Sequence, residues 1–163
     1  MKLINITENK KEPDGTYVGA KISKRSKKAL REFCIENKIP NRQRSEKMHT
    51  TIIYSRKYDN SLQVSQELYP FTAKIIKAEV FETYNKKNAL VARLDCPELV
   101  KRHKELMKTY DLTYDYDEYK AHITLSYDCG DFDPESLDFG KLTVEFTEEY
   151  MEDLVLDWND KDE

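Results

Sequence analysis

The sequence predicts an α+β protein, a mainly antiparallel sheet or pair of sheets with helices on the outside. Three observations carry this. Short runs of β-branched, aliphatic and aromatic residues without internal Gly or Pro recur along the chain, clearest at 48–54 and 121–127. Apolar residues at helical spacing occur in two stretches, 23–37 and 97–110. The order is strand, helix, strand in the first half, then a hairpin, a helix and a strand in the second. At 163 residues the chain suffices for one domain of two lobes around a central cleft. That domain is expected over residues 15–163, behind a polar, mobile segment at 1–14.

Taken in order, the Pro13-Asp14-Gly15 turn signal introduces a first strand at 16–22. Ser23 or Ser26 can cap a helix whose apolar stripe is Ala29, Leu30, Phe33 and Cys34, and Pro40 prevents its continuation. A basic loop at 41–44 leads to the strand at 48–54. Residues 71–82 and 89–95 read as a hairpin around the polar turn at 85–88. Pro97 suits the first turn of a second helix, with Leu99, His103, Leu106, Met107 and Tyr110 on one face. The acidic, tyrosine-rich stretch 111–118 reads as a solvated loop. The strand at 121–127 follows, and 141–147 and 153–158 read as two closing strands.

Bulk properties remove several classes. No apolar run is long enough to span a membrane, and the N-terminus lacks the core of a signal peptide, so a cytoplasmic protein is expected. Cys34, Cys96 and Cys129 are odd in number and widely spaced, which fits reduced thiols rather than a disulfide framework or zinc site. The net charge of −4 hides a gradient: residues 1–57 hold 15 Lys+Arg against 6 Asp+Glu, whereas 111–163 hold 3 against 18. So acidic a final third argues against a long nucleic acid as partner, and most of these charges are expected to attract each other within the fold.

Two of the three histidines fall in the same frame, His49-Thr50-Thr51 and His122-Ile123-Thr124. On a strand, alternate side chains share a face, so each His stands about 6–7 Å from its Thr on one side. Two imidazoles near their ordinary pKa of about 6.5 supply a base and an acid without a metal or other cofactor. Two hydroxyls supply donors to the oxygens of a phosphate held between them. His103, alone on an apolar helical stripe, is the control, and a packed structural role is expected for it.

These paired motifs resemble those of the two-histidine (2H) phosphoesterase superfamily, which implies a bilobal α+β fold with the motifs across a central cleft. A longer similarity, through Asp14-Gly15-Thr16-Tyr17, Asn37-Lys38-Ile39-Pro40 and the stretch from Lys47 to Tyr58, is to the phage anti-CBASS phosphodiesterases. That resemblance implies metal-independent cleavage of 3′–5′ bonds in cyclic di- or trinucleotide signals, adenine-containing ones first, which would let a phage evade CBASS defence. His49 and His122 would be base and acid, and Thr51 and Thr124 the phosphate clamps. Tyr17 would close over the ligand, while Glu152 and Trp158 would contact a base. Phe71, Phe81 and Tyr84 are the aromatics available mid-chain for a second stacking surface. Two alternatives stand beside this: a 2H enzyme opening 2′,3′-cyclic phosphates on RNA, and a non-catalytic sponge for cyclic nucleotides.

Overall fold

Local signals in the sequence set the element ends. Ser23 caps the first helix, its hydroxyl accepting from the Ser26 amide at 3.1 Å. The helix, α1 (Lys24–Glu36), buries Ser26, Leu30 and Cys34 at successive turns and gives way to Lys38 in the left-handed conformation (φ 54°). Pro97 opens the second helix, α2 (Pro97–Thr109), whose buried residues are Leu99, His103 and Leu106. The computed structural model describes residues 13–83 and 85–156. Its strands are β1 (Gly15–Ile22), β2 (His49–Ser55), β3 (Phe71–Glu82), β4 (Asn88–Asp95), β5 (His122–Ser126) and β6 (Thr143–Leu154).

The strands pair antiparallel and close in the order β1-β2-β5-β4-β3-β6. Six strands enclose less room than the eight whose interior side chains just fill, so neither helix can lie inside. The apolar sheet face therefore points outward: Val18, Ala20, Ile52, Ala92, Ile123, Leu125 and Phe146 join Leu30 and Cys34 of α1 and Leu99 and Leu106 of α2 in one buried cluster. The opposite face, carrying the motif residues, points inward. The fold is thus α+β, mainly antiparallel, with helices outside. All three cysteines are free and buried. Among the described residues no helix is long and apolar enough to cross a membrane.

Two expectations are corrected. The two His-x-Thr strands do not confront each other from separate walls; β2 and β5 are neighbours, paired at Thr50–Ile123. The chain order of a strand says nothing about its partner, and here β5 inserts between β2 and β4. The two closing strands are also one: β6 runs unbroken, pairing with β3 through Thr143–Phe146 and with β1 through Phe146–Leu154. The polar run at 147–149 marks a bulge, not a break: Lys21 pairs with Glu148 but Ile22 with Phe146, so Thr147 and Glu148 are both exposed and Glu149 takes the core side. Glu149, only 2% exposed, turns outward, where its carboxylate accepts from Arg102 (Nη2, 2.7 Å), the Tyr69 hydroxyl (2.9 Å) and the Ser65 amide (3.1 Å). A paired carboxylate is compatible with a buried strand position where a lone one is not.

The acidic stretch after α2 is pinned by the basic segment after β2. Arg56 pairs with Asp115 at 3.0 Å, Lys57 pairs with Asp111, and Thr113 bonds Ser55 and the Arg56 amide. Part of the charge gradient is therefore spent inside the fold. Tyr119 from this region stacks on His103 at 4.4 Å and donates to the Thr51 carbonyl at 2.6 Å. His103 itself donates from Nδ1 to the Ile52 carbonyl at 2.8 Å and is held below its ordinary pKa chiefly by burial. It is the packed, structural histidine expected. Of the N-terminal segment, residues 1–12 lie outside the described residues; Asp14 donates its amide to Leu154 and accepts from the Leu156 amide, both at 2.7 Å.

Candidate active site

The Thr50–Ile123 pairing fixes the site. One residue to either side, antiparallel register sets His49 opposite Thr124 and Thr51 opposite His122, all four on the inner face. Directly opposed side chains have Cβ atoms about 4.5–5.5 Å apart and diagonal ones about 7–8 Å. The two imidazoles thus occupy one diagonal of a small rectangle and the two threonines the other. All four are half-buried, whereas Thr50 and Ile123 between them are buried on the outer face. Thr50 adds a tie across the seam, its hydroxyl donating to the His122 carbonyl at 2.6 Å.

Each imidazole is held the same way. His49 Nδ1 lies 2.8 Å from the Lys47 carbonyl and His122 Nδ1 lies 2.7 Å from the Lys120 carbonyl. A carbonyl only accepts, so Nδ1 carries a proton in both rings and Nε2 is left to act. A neutral ring presents Nε2 as a base; a protonated ring presents it as an acid. The two surroundings differ. His122 lies edge-on to Phe81 with centroids 5.1 Å apart. Its pKa is held below the ordinary value, first by burial and then by the charges of Arg93 and His49, with the Lys120 carbonyl and Glu79 opposing. His49 instead stands beside Tyr17 and Tyr150, with centroids at 6.0 and 6.5 Å.

Tyr17 reaches the motif directly: its hydroxyl oxygen is 2.9 Å from Thr51 Oγ1. Burial, with Tyr150 alongside, raises the Tyr17 phenol well above its ordinary pKa, and burial pushes Tyr150 up to about 12, so both remain neutral hydroxyls at physiological pH. Gly19 makes room for Tyr150: a Cβ there would fall 2.7 Å from the Tyr150 hydroxyl oxygen. A bulge after Ile52 lets Ile52 and Ile53 both face the core, and returns Tyr54 to the inner face against Tyr17 at 6.4 Å.

The structure therefore brings His49, Thr51, His122, Thr124 and Tyr17 together. Glu152 is exposed, opposite Tyr17 on β6 and on the same face as Tyr150. Trp158 and Tyr84 lie outside the described residues. Of the other mid-chain aromatics, Phe71 packs against Tyr69 and Phe146, and Phe81 is the one beside the site. Sequence reasoning missed Tyr150, Lys21 and Arg93. Tyr150 was findable, since it shares strand parity with Glu152 once 143–154 is read as one strand. Among the described residues no group of three or more His, Cys, Asp or Glu side chains converges.

Comparison with known proteins fits this arrangement. The structure resembles Escherichia coli LigT complexed with 3′-AMP (TM-score 0.59, 12% identity, 86% of this chain and 87% of that one). It also resembles LigT complexed with NADP+ (TM-score 0.56, 12% identity, the same coverage). At such identity the likeness is one of fold. Sequence similarity goes further. Anti-CBASS protein Acb1 of Vibrio phage KVP40 is 35% identical over 147 residues, covering 90% of this chain and 92% of the relative. The protein of the same name from Acinetobacter phage Ac42 is 34% identical, covering 97% of this chain and 99% of the relative. The family model for anti-CBASS protein Acb1 matches residues 14–161, from the turn before β1 to beyond Trp158. With the doubled motif on adjacent strands and a match from one end of the fold to the other, this chain belongs to the anti-CBASS protein Acb1 family.

Proposed function

We propose that the protein is a phosphodiesterase that cleaves 3′–5′ bonds of cyclic di- or trinucleotides with His49 and His122 as its acid–base pair. The observation that carries this reading is the matched pair of Nδ1–carbonyl bonds, which leaves two Nε2 atoms diagonal to each other across two threonine hydroxyls. A phosphate set over this rectangle meets a base, an acid and two donors at once.

The reaction is written through the substrate's own 2′-hydroxyl. Its oxygen attacks the adjacent phosphorus while one neutral imidazole takes the proton at Nε2. The bond from phosphorus to O5′ breaks, and the other imidazole, protonated, gives its proton to O5′. The product is a 2′,3′-cyclic phosphate. Water then attacks it: the second imidazole, now neutral, takes a proton from water, and the first returns its proton to O2′ as the P–O2′ bond breaks. A linear 3′-phosphate results and both rings end as they began. Thr51 and Thr124 donate to the non-bridging oxygens. Tyr17, Phe81 and, from the family resemblance, Trp158 offer aromatic faces to bases, and Glu152 an acceptor for an exocyclic amine. Destroying such signals in the host cytoplasm is the activity expected of an anti-CBASS protein.

The test is incubation with an adenine-containing cyclic dinucleotide and a cyclic trinucleotide in excess EDTA, read by mass spectrometry. Linear 3′-phosphate products are expected, with a loss of roughly 10²–10⁴-fold in His49→Ala or His122→Ala. Rings that survive the wild-type protein across pH 5–9, or a folded double variant that still cuts them, would end the proposal. Intact ligand recovered after heat release would establish a sponge instead.

A further inference from the structure

The rectangle of histidines and threonines has an approximate two-fold axis at the Thr50–Ile123 pair, and the relation continues into the strands outside it. On the outer side of β2, Lys21 is directly opposite His49 and Gly19 opposite Thr51. On the outer side of β5, Arg93 is directly opposite His122 and Val91 opposite Thr124. Each histidine thus has one cation on its outer flank, and each threonine one small or apolar residue. Both cations are themselves backed by an acid one strand further out. Lys21 is opposite Glu148 on β6, with its ammonium 5.5 Å from the Tyr150 ring centroid; Arg93 bonds Glu79 of β3 at 2.7 Å. Neither cation holds an imidazole by a hydrogen bond at Nδ1, because those atoms are already taken by the Lys47 and Lys120 carbonyls.

Arg93 carries the second observation. It spends one N–H on Glu79, and its Nε is buried without a hydrogen-bond partner. A buried guanidinium nitrogen left unpaired is costly unless a ligand completes it. Lys21 and Arg93 stand three strands apart around the closed sheet, one on either side of the His/Thr rectangle. A single diester centred on the rectangle leaves both at its margins. A nucleotide carrying phosphates on either side of the scissile one reaches both.

We propose that Lys21 and Arg93 determine specificity by holding the phosphates that flank the scissile one, so that the site selects nucleotide rings of two or more phosphates over a single diester. This rests on the proposed phosphodiesterase activity. The approximate two-fold axis has a further consequence. A cyclic dinucleotide has one additional phosphate and can place it on either cation by turning over; a cyclic trinucleotide has two and engages both.

The experiment compares kcat/KM on a cyclic trinucleotide, a cyclic dinucleotide and a linear dinucleoside monophosphate for wild type, Lys21→Gln, Arg93→Gln and the double variant. For the trinucleotide, the ratio of kcat/KM to that of the single diester is expected to fall at least tenfold in each single variant, mainly through KM. For the dinucleotide, the double variant should lose far more than the two single losses combined. Arg93→Lys and Lys21→Arg should restore the ratios. Equal losses on ring and single diester, or no loss, would overturn the inference, as would a wild type without ring preference. Lys21 is exposed, so Lys21→Gln decides the matter even if Arg93→Gln unfolds. A wild type that cuts no ring at all would instead refute the activity on which this builds.

Discussion

The hydroxyl oxygens of Tyr17 and Thr51 lie 2.9 Å apart, joining the first strand to the proposed phosphate clamp. When Tyr17 donates, the Thr51 proton is freed to point at a phosphate oxygen. Tyr17→Phe keeps the ring and removes that orientation, so kcat should fall by about 2- to 10-fold, equivalent to roughly 0.5–1.5 kcal/mol. Tyr17→Ala should raise KM as well. Steady-state kinetics on a cyclic dinucleotide separates the two effects.

The pH dependence should follow the charges around His122. Burial, Arg93 and His49 hold its pKa down, while Glu79 and the Lys120 carbonyl raise it. The limb of the pH–rate profile that His122 controls should therefore lie at lower pH than a free imidazole would give. Arg93→Gln removes a cation and should shift that limb upward; Glu79→Gln removes an anion and should shift it downward. Opposite shifts in the two variants are the signature to measure, and shifts of the same sign would contradict the electrostatic account.

Gly19 is where backbone and active site compete for space. A Cβ there meets the Tyr150 hydroxyl oxygen at 2.7 Å and Tyr17 Cε1 at 3.0 Å. Gly19→Ala should displace both tyrosines and lower turnover. In a Tyr150→Ala background the nearest obstruction is gone, so adding Gly19→Ala should cost little more. A double-mutant cycle on kcat/KM reads the coupling.

Stability should depend heavily on a carboxylate far from the chemistry. Glu149→Ala leaves Arg102, Tyr69 and the Ser65 amide without their shared acceptor, and loss of one partner of a buried ion pair costs about 3–5 kcal/mol. Denaturant unfolding should show this as a lower midpoint. Replacing both partners, as in Glu149→Leu with Arg102→Met, should recover much of the loss.

Much of this was legible along the chain. Ser23 and Pro97 announced the helices, and the His-x-Thr frame picked out four side chains that stand together. Those signals are local: a cap, a fixed ring, a two-residue period. What the chain did not disclose is register between distant segments. Nothing in residues 20–22 says that Lys21 meets His49, and nothing in 91–95 says that Arg93 meets His122. The gap left between the expected closing strands at 141–147 and 153–158 has the same origin, since Glu149, which lies in it, finds its partners Ser65, Tyr69 and Arg102 elsewhere in the chain. An acid mid-strand reads as an interruption until they are known.

Only one residue pair, Thr50 and Ile123, joins β2 to β5, with the Thr50 hydroxyl as an added tie. Those residues face the core, opposite the face that carries the four motif side chains, yet they set how wide the gap between the two proposed reactive nitrogens stands. The molecule behaves here like a vice whose screw is hidden in its own body. Altering the methyl or hydroxyl of Thr50 would change the jaws without touching anything they grip, so loss of turnover in this protein need not trace to a residue that ever meets substrate.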